Sequence, residues 1–479
     1  MPGPSLLVSV ASMTLDIIIE HGTIVTANGT FRANVAIDEG KIVGIAKSIA
    51  FRDCDLRIDA KGKLLLPGGI DTHTHFEFDF MGEKIRETWH QGTTSAAFGG
   101  TTTVVDFSIQ KKGVALMEAI EAAVSRADSQ SAIDFGVHGC FTDFSNPEKI
   151  SEEMAQIVNF GVASFKEFMI YEKQGWRIDD WNLYNILLKA AELNAIVAVH
   201  AENASVGESY MDELVKEGKT SAKYHPISKP NFVEAEAIQR AIALAEHAGS
   251  KLYIVHMSTQ EGLDLISNAR RRGVPVFAET CPHYLTLTDK TYTRPDGINF
   301  ICSPPLRKNE DIDALWKGLA TGSISIVGSD HVAFTSEQKR AHSKTFSDVP
   351  NGVAGVEARL PILYSEGVRK GRISLQRLVQ ISSTNASKLL GMYPTKGVVA
   401  PGSDADVVVF DPDIERTLSV DSFHMGTDYS IYEGMKVKGY PVVVLSKGKV
   451  IIEDDQYLGK AGDGTFLRRT LSNDDLATI

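Results

Sequence analysis

The chain has few cysteines and lacks any long apolar run. Cys54, Cys140, Cys281 and Cys302 are the only cysteines in 479 residues, and they form no CxxC pair or disulfide framework. We therefore expect reduced thiols in a cytoplasmic protein. No apolar run approaches the roughly 20 residues that a membrane-spanning helix needs. The opening residues lack a basic stretch, so we expect 1–13 to be a disordered leader rather than a cleaved signal peptide.

The chain also has fewer basic residues than acidic ones. Lysine and arginine together number 49 against 61 aspartates and glutamates, which gives a net charge of −12. Such an acidic protein is a poor partner for nucleic acid or an anionic membrane surface. The composition is 43% hydrophobic and 23% charged, as in globular proteins, and the length allows one large domain and one smaller one.

The two ends of the chain share a β-rich pattern. DIIIEHGTIVTANGTFRANVAIDEGKIVGIA near the start, and DADVVVFDP and YPVVVLSKGKVIIED near the end, alternate β-branched residues with turn signals. We predict that residues 14–63 and 396–455 pair into one small β-sandwich domain built from both chain ends. Residues 456–479 are polar, and we predict a C-terminal tail that extends onto a neighbouring subunit.

The middle of the chain, residues 64–395, alternates strand and helix patterns. Helical stretches such as GVALMEAIEAAVSRAD separate several apolar, β-branched runs. This alternation predicts a parallel sheet, and eight runs predict a closed α/β fold, the (β/α)8 TIM barrel, as the catalytic domain. The runs cover residues 64–71, 101–107, 132–141, 162–169, 195–200, 251–256, 274–281 and 324–330.

Polar residues stand at the ends of these runs, where a barrel places its active site. His73 and His75 alternate along the exit of the first strand, so both imidazoles point the same way. His200, His256 and Asp330 end the fifth, sixth and eighth runs. Each histidine alone fits a hydrogen-bonded core residue, and the aspartate alone fits a helix N-cap. Their joint placement favours a metal site.

Lys166 lies inside the apolar run VASFKEFMIY, where a lysine charge is costly. Two divalent cations about 3.5–4 Å apart would repel an ammonium group there. A neutral amine can instead take up CO2 and form a carbamate, which offers one oxygen to each metal. We therefore predict N6-carboxylysine at position 166, bridging two metals. The alternative is a lysine that reaches solvent or pairs with Glu167.

Eight motifs occur in an order that resembles the dihydropyrimidinase and hydantoinase family of cyclic amidohydrolases. The resemblance runs from about residue 16 to residue 452. It implies a zinc-dependent hydrolase, a homotetramer, that opens the ring amide of dihydropyrimidines (5,6-dihydrouracil, dihydrothymine) or 5-substituted hydantoins to N-carbamoyl amino acids. The expected partner is thus a small neutral cyclic amide. The motifs are PGGIDTHTH, SFKEFMIY, VHAEN, VHMS, ETCPHYL, CSPPLR, GSDHVAF and VPNGVAGVE.

The resemblance also implies two Zn2+ ions per subunit, bridged by carboxylated Lys166. The metal-ligand positions that it carries over are His73, His75 and Asp330 for the more buried ion, and His200 and His256 for the more exposed ion.

Catalytic and substrate-binding roles follow from the same resemblance. Asp330 is the expected proton carrier, which takes a proton from the attacking water and passes it to the ring nitrogen. Tyr171 is expected to hydrogen-bond the substrate carbonyl and stabilise the oxyanion. Ser303 and Asn351 are expected to hold the ring through their backbone groups.

Several other positions bear on specificity. Asp79 and Glu83 depart from the family pattern near the substrate loops. Glu77 stands where dihydroorotase-like sequences place an arginine, so a neutral ring is favoured over an acidic one.

An allantoinase-like or dihydroorotase-like amidase and a non-enzymatic scaffold are the alternatives, and the six occupied ligand positions argue against the scaffold. Asp106 and Glu279 are predicted to hydrogen-bond the ligands.

Overall fold

The computed structural model describes residues 14–47 and 53–479, so the predicted leader at 1–13 lies outside the described residues. The first strands of the chain build most of a small sandwich domain. Their bounds are β1 Leu15–Glu20, β2 Thr23–Val25, β3 Thr30–Arg32, β4 Asn34–Asp38, β5 Lys41–Ala46, β6 Cys54–Asp59 and β7 Leu64–Pro67.

The barrel strands follow, interrupted by one short hairpin formed by β9 and β10. Their bounds are β8 Gly69–Thr74, β9 Asp79–Phe80, β10 Glu83–Lys84, β11 Thr101–Ile109, β12 Asp134–Cys140, β13 Ser164–Phe168, β14 Ile196–His200, β15 Lys251–Ile254, β16 Val276–Thr280 and β17 Ile326–Val327. The chain then returns to the sandwich through β18 Val407–Thr417, β19 Lys436–Ser446, β20 Lys449–Glu453 and β21 Gln456–Tyr457.

Helices connect the barrel strands and cover the outside of the barrel. The α-helices are α1 Trp89–Phe98, α2 Leu116–Gln130, α3 Pro147–Phe160, α4 Asp180–Glu192, α5 Ala204–Lys216, α6 His225–Ser228, α7 Asn231–Ala248, α8 Gln260–Arg271, α9 Pro282–Thr286, α10 Asn309–Thr321, α11 Ser336–Ala341, α12 Arg359–Ile362, α13 Leu375–Val379, α14 Asn385–Leu389 and α15 Asn473–Leu476. Shorter 3-10 turns lie at Ala222–Tyr224, Asp289–Thr293, Gly297–Phe300, Val356–Ala358 and Val420–Ser422, and π-helical turns at Leu363–Val368 and Gln380–Thr384.

The barrel is the predicted one. Strands β8 and β11 to β17 pair in parallel and in chain order. The sheet closes where His331, just after β17, bridges Thr74 at the end of β8. The His331 backbone N–H donates to the His73 carbonyl at 3.3 Å, and the His75 N–H donates to the His331 carbonyl at 3.0 Å. Closure therefore brings Asp330 next to the two histidines of the first barrel strand.

The sandwich is also the predicted one, with both chain ends in the same sheet. One sheet has the order β5-β4-β1-β6, and the other has the order β21-β20-β19-β18-β7-β2-β3. The two sheets enclose an apolar core that includes Ile19, Val35 and Val407. Strand β7 pairs with β18, so residues 64–67 belong to the sandwich sheet although the predicted barrel begins at residue 64.

The prediction of one strand over residues 64–71 was wrong, because the chain changes sheets at Gly68. A Cβ atom on this glycine would lie 2.0 Å from the Thr102 hydroxyl oxygen, so only glycine permits this close approach. The predicted strands 251–256 and 324–330 are also shorter than predicted. They end at Ile254 and Val327, and the backbone then leaves the extended conformation at His256 (φ 39°) and Asp330 (φ 49°).

The C-terminal tail packs on its own barrel, and its predicted extension onto a neighbouring subunit stays a prediction. Phe466 bridges Phe135 in β12, and Leu471 joins an apolar cluster with Ile70 at the amino-terminal end of the barrel. The buried Arg469 guanidinium donates to the Val137 carbonyl. Over residues 14–47 and 53–479, no helix is long and apolar enough to cross a membrane.

Candidate metal centre and active site

The predicted ligand residues meet in one buried pocket at the carboxyl ends of the barrel strands. The ring centroids of His73 and His75 lie 5.2 Å apart, and those of His200 and His256 lie 4.4 Å apart. The His73 and His256 rings are separated by 5.2 Å, which connects the two pairs. Residues that are far apart in sequence therefore face one small cavity. Its lining includes His73, His75, Lys166, His200, His256, Asp330, Tyr171, Ser303 and Asn351.

Asp330 stands between the histidines. Its Oδ1 atom lies 3.2 Å from His73 Nε2 and 3.5 Å from His75 Nε2. Burial opposes ionisation of Asp330, but the neighbouring imidazoles hold its pKa well below its ordinary value. The tightest group of donor atoms is His73, His256 and Asp330, whose ligand atoms all lie within 4.8 Å of one another. This group takes one histidine from each predicted pair, so the division of the ligands between two ions stays a prediction.

Three of the histidines are held in the form that binds metals. Burial lowers the pKa of His75 and the pKa of His200 to about 4, and it lowers the pKa of His256 well below its ordinary value. Their rings are therefore neutral near pH 7, with a lone pair on one nitrogen. A neutral imidazole is the form that metal coordination requires.

Two buried carboxylates orient two of these rings. Glu279 Oε1 lies 2.8 Å from His73 Nδ1, as predicted, and Glu202 Oε2 lies 2.7 Å from His200 Nε2. Each contact leaves one ring nitrogen available, Nε2 in His73 and Nδ1 in His200. Carboxylates that bind the outer nitrogen of a metal-ligating histidine are typical of metal sites, because they hold the tautomer and the ring orientation.

Lys166 lies on β13 with its side chain in the pocket and is 1% exposed. Its Nζ atom is 4.6 Å from the ring centroid of Phe168 and 5.1 Å from that of Phe107. Burial lowers the pKa of Lys166 to about 8. The next residue, Glu167, lies on the opposite face of the strand, because side chains alternate along a strand, and it is absent from the pocket lining.

These donors fit a divalent metal. Neutral imidazoles and one carboxylate are the ligands that zinc prefers in proteins. The Nδ1 atoms of His75 and His256 are buried and have no hydrogen-bond partner among the described residues. Buried polar atoms without protein partners are rare, and a bound ion or water is one recognised reason for them. The chemistry and burial of the pocket therefore suit the predicted ion or ions.

Tyr171 and Asn351 border both this pocket and a larger cavity outside it, of about 350 Å3. Burial raises the pKa of Tyr171. Hydrogen bonds with the Ser303 and Asn351 side chains act to lower this pKa, but burial outweighs them. Its phenol is thus protonated and can donate a hydrogen bond. Tyr171 has a φ of 66°, and His256 and Asp330 also have positive φ values. Such strained backbone at non-glycine residues concentrates at functional sites.

Aromatic side chains form one wall of the pocket. The ring centroid of Phe80 lies 5.0 Å from that of Tyr171 and 5.2 Å from that of Trp176. Phe168 also packs on Trp176, with ring centroids 5.2 Å apart, and Phe78 stacks on Phe80 at 5.4 Å. This wall offers an apolar surface beside the donor atoms.

The interpretation of Glu77 needs correction. Its carboxylate lies 3.8 Å from Arg126 and accepts from the Trp89 backbone N–H. It borders a separate cavity of about 740 Å3 and is not part of the metal-pocket lining. Repulsion by this residue therefore does not explain a preference for neutral rings. Asp79 borders the same separate cavity, and Glu83 bonds Gln338 and His342. The two departures from the family pattern thus also lie outside the pocket lining.

Sequence reasoning missed Glu202 and Lys229, which lie in the same polar network. Glu202 stands two residues after His200 in VHAEN, and this spacing was a usable signal, since a strand end can bring alternate residues to one side. Lys229 had no such signal, because it lies in the connection between α6 and α7, 74 residues away from its partner Ser303.

Comparison with known proteins shows the family of the chain. Residues 64–451 match the amidohydrolase family. The chain is 43% identical over 458 residues to a D-hydantoinase of Ralstonia pickettii, an alignment that covers 95% of this chain and 99% of the relative.

Solved structures show the same similarity. The crystal structure of a dihydropyrimidinase from Brevibacillus agri NCHU1002 superposes with a TM-score of 0.93 at 43% identity, covering 95% of this chain and 99% of that one. An L-hydantoinase from Arthrobacter aurescens gives a TM-score of 0.89 at 31% identity, covering 95% of this chain and 100% of that one. The chain belongs to the amidohydrolase family, in its hydantoinase and dihydropyrimidinase branch, and is a cyclic amidohydrolase.

Proposed function

We propose that this protein hydrolyses the ring amide of 5-substituted hydantoins or dihydropyrimidines to N-carbamoyl amino acids, with two zinc ions per subunit. The single observation that carries the proposal is the convergence of four histidines, one lysine and one aspartate in a buried pocket at the barrel mouth. The names of the relatives, D-hydantoinase and dihydropyrimidinase, support the substrate class. We further propose a cytoplasmic homotetramer, as the family resemblance implies.

The proposed ligands divide between two ions. His73, His75 and Asp330 would hold one ion, and His200 and His256 would hold the other. Carboxylated Lys166 would bridge them, because its amine is buried in the pocket and has a pKa low enough for a neutral fraction to react with CO2. The ions supply Lewis acidity and an activated water nucleophile when bound.

The side chains of this chain carry the proton and the charge in the proposed reaction. Asp330 accepts the proton of the attacking water and delivers it to the leaving ring nitrogen, and its low pKa keeps it ionised for the first of these steps. Tyr171 donates its phenolic hydrogen to the carbonyl oxygen as negative charge develops there. Ser303 and Asn351 also line the pocket, and they hold the amide edge of the ring through backbone groups.

The aromatic wall bears on which rings are accepted. Phe78, Phe80 and Trp176 provide an apolar surface for a substituent that projects from the ring. Lys166 is the only lysine or arginine in the pocket lining among the residues that the structure describes. A carboxylated substrate such as dihydroorotate would find no basic partner there, whereas an aryl or alkyl hydantoin would find apolar contacts.

The test is a substrate panel measured on zinc-loaded protein. We expect ring opening of 5-phenylhydantoin, dihydrouracil or dihydrothymine, with the D enantiomer of phenylhydantoin preferred, and little turnover of allantoin or dihydroorotate. Zinc content should approach two equivalents per chain in the same preparation. Turnover confined to dihydroorotate would refute the proposed substrate class, and zinc-loaded, folded protein that opened no ring would favour the scaffold alternative.

A further inference from the structure

Lys229, a buried lysine outside the proposed catalytic set, contacts both a neighbour of a proposed metal ligand and a proposed substrate-binding residue. Lys229 is 2% exposed and borders the outer cavity that leads to the pocket. Its ammonium group donates to the Ser303 hydroxyl and lies 3.4 Å from the Glu202 carboxylate. A fully buried lysine requires such partners, because an isolated charge there would be very costly.

Glu202 is the shared partner in this network. The same oxygen, Oε2, accepts from the Ser303 hydroxyl at 2.6 Å and lies 2.7 Å from His200 Nε2. One carboxylate therefore contacts a proposed metal ligand on β14 and a proposed substrate-binding residue on the 301–307 loop. The Ser303 hydroxyl donates to Glu202 and accepts from Lys229, and it also contacts the Tyr171 phenol, so three protein groups orient it.

The backbone around Lys229 is tied to the same loop. Its carbonyl accepts from the Arg307 guanidinium at 2.5 Å, and His225 Nε2 lies 2.7 Å from the Cys302 carbonyl. The segment that carries Lys229 thus contacts the loop on both sides of Ser303. These contacts fix the position of the Lys229 backbone relative to the loop, and so they also limit where its side chain can lie.

We propose that Lys229 is a positioning residue, which fixes the Ser303 loop against the Glu202–His200 pair and so sets where the substrate ring lies relative to the metal ligands. The inference rests on the proposed function, because it assigns Lys229 to the placement of that substrate. Without the ammonium group, the Ser303 hydroxyl loses a donor and Glu202 loses its only cationic neighbour among the described residues. The loop can then shift, and misplacement of a reacting group by about 1 Å can cost ~100-fold in rate.

The experiment compares variants of the zinc-loaded enzyme with a hydantoin that the wild type opens. For Lys229→Met we expect kcat/KM per bound zinc to fall ~10–100-fold, mostly through kcat, with zinc content unchanged. Lys229→Arg should recover most of the loss, because a guanidinium can donate to both partners. The control is Lys173→Met, which removes one positive charge from the same outer cavity but contacts Asp212 rather than Ser303 or Glu202.

A double-mutant cycle separates positioning from general destabilisation. If Lys229 acts through Ser303, the loss in Ser303→Ala/Lys229→Met will be smaller than the product of the two single losses. Losses that simply multiply, or a Lys229→Met enzyme within about twofold of wild type, would overturn the inference. If methionine at this position yields no folded protein, Lys229→Gln replaces it in the cycle. Failure of the wild type to open any ring would instead contradict the proposed function.

Discussion

The Nδ1 atom of His73 lies 2.8 Å from the Glu279 carboxylate, and this contact organises more than one ligand. The same carboxylate oxygen accepts from the backbone N–H of His256 at 3.1 Å. The other oxygen accepts from the Thr72 hydroxyl at 2.6 Å. One buried carboxylate on β16 thereby holds a ligand from the first barrel strand and a ligand that follows the sixth.

Replacing Glu279 with Gln is expected to weaken metal binding by ~10–100-fold, because the amide holds the His73 ring less firmly and carries no charge. Zinc affinity measured by chelator competition checks this. The control is Glu246→Gln, which removes a surface carboxylate paired with Arg272. Unchanged affinity in the Glu279 variant would show that His73 needs no carboxylate to orient it.

Replacing Lys166 with Ala should remove the proposed bridge between the ions. We expect the purified variant to retain less than one zinc per chain and to lose ~100-fold or more of its ring-opening rate. Metal analysis and the hydantoin assay measure both effects, with Lys219→Ala, a surface lysine paired with Glu217, as the control. Near-normal zinc content and rate would refute the bridging role.

Removal of metal with a chelator should abolish ring opening while leaving the fold intact. The barrel and sandwich cores are extensive and do not include the ligand atoms, so circular dichroism should change little. Added zinc is expected to restore activity faster in the presence of bicarbonate, since the carbamate on Lys166 must reform. Equal recovery in CO2-free buffer would contradict the carbamate.

Replacing Tyr171 with Phe should reduce kcat by ~10²–10³-fold, the usual cost of losing one hydrogen-bond donor to an oxyanion. Zinc content should be unchanged, because the phenol is not among the proposed ligands. Steady-state kinetics on phenylhydantoin measures the loss, and Tyr210→Phe, an exposed tyrosine on α5, is the control. A rate near that of the wild type would remove Tyr171 from the mechanism.

Lys396 is expected to anchor the sandwich to the barrel. Its buried ammonium lies 2.6 Å from Asp134 of β12, and 2.9 Å and 2.7 Å from Asp404 and Asp406. Lys396→Met should lower the free energy of unfolding by about 3–5 kcal/mol, because it leaves the buried Asp406 carboxylate without a cationic partner among the described residues. Asp134 and Asp404 keep their contacts with Lys447 and Lys41. Lys41→Met, which breaks a more exposed contact to Asp404, should cost about 1 kcal/mol or less.

The pH dependence of this contribution follows from the sign of the shift. Burial acts to lower the pKa of Lys396, but the charges of the three aspartates outweigh burial and raise it above its ordinary value. A raised lysine pKa gives stability that is fully present below about pH 10 and is lost only at higher pH. Denaturant unfolding should therefore show the same loss for the variant near pH 7 and near pH 9. A loss that disappeared by pH 9 would contradict the ion-pair interpretation.

Local sequence rules determined much of the fold and part of the site. Alternation along a strand was sufficient to predict that His73 and His75 face the same way, and the strand-helix alternation predicted the barrel. The apolar run around Lys166, taken together with the histidines at the strand ends, predicted that its amine lies in the pocket. The first two features depend on residues that are close in sequence, where backbone geometry alone sets the direction of a side chain.

Tertiary structure decided the features that depend on distant neighbours. The chain changes sheets at Gly68, where Thr102 leaves no room for a side chain. Glu77 turns toward Arg126, away from the metal pocket, and the tail packs under its own barrel. These contacts join residues that are far apart in sequence, so no local sequence pattern predicts them.

The difference between what the sequence determines and what the tertiary structure decides is clearest in the network around Ser303. By itself, the sequence predicted that the histidines and Asp330 lie at the ends of barrel strands and that Lys166 lies within one, because a repeating strand-helix pattern assigns every strand end to one mouth. Only the folded chain decided that Glu202, Lys229 and Ser303 share one set of hydrogen bonds. Those contacts join segments up to 101 residues apart, and their geometry depends on packing and burial rather than on spacing along the chain.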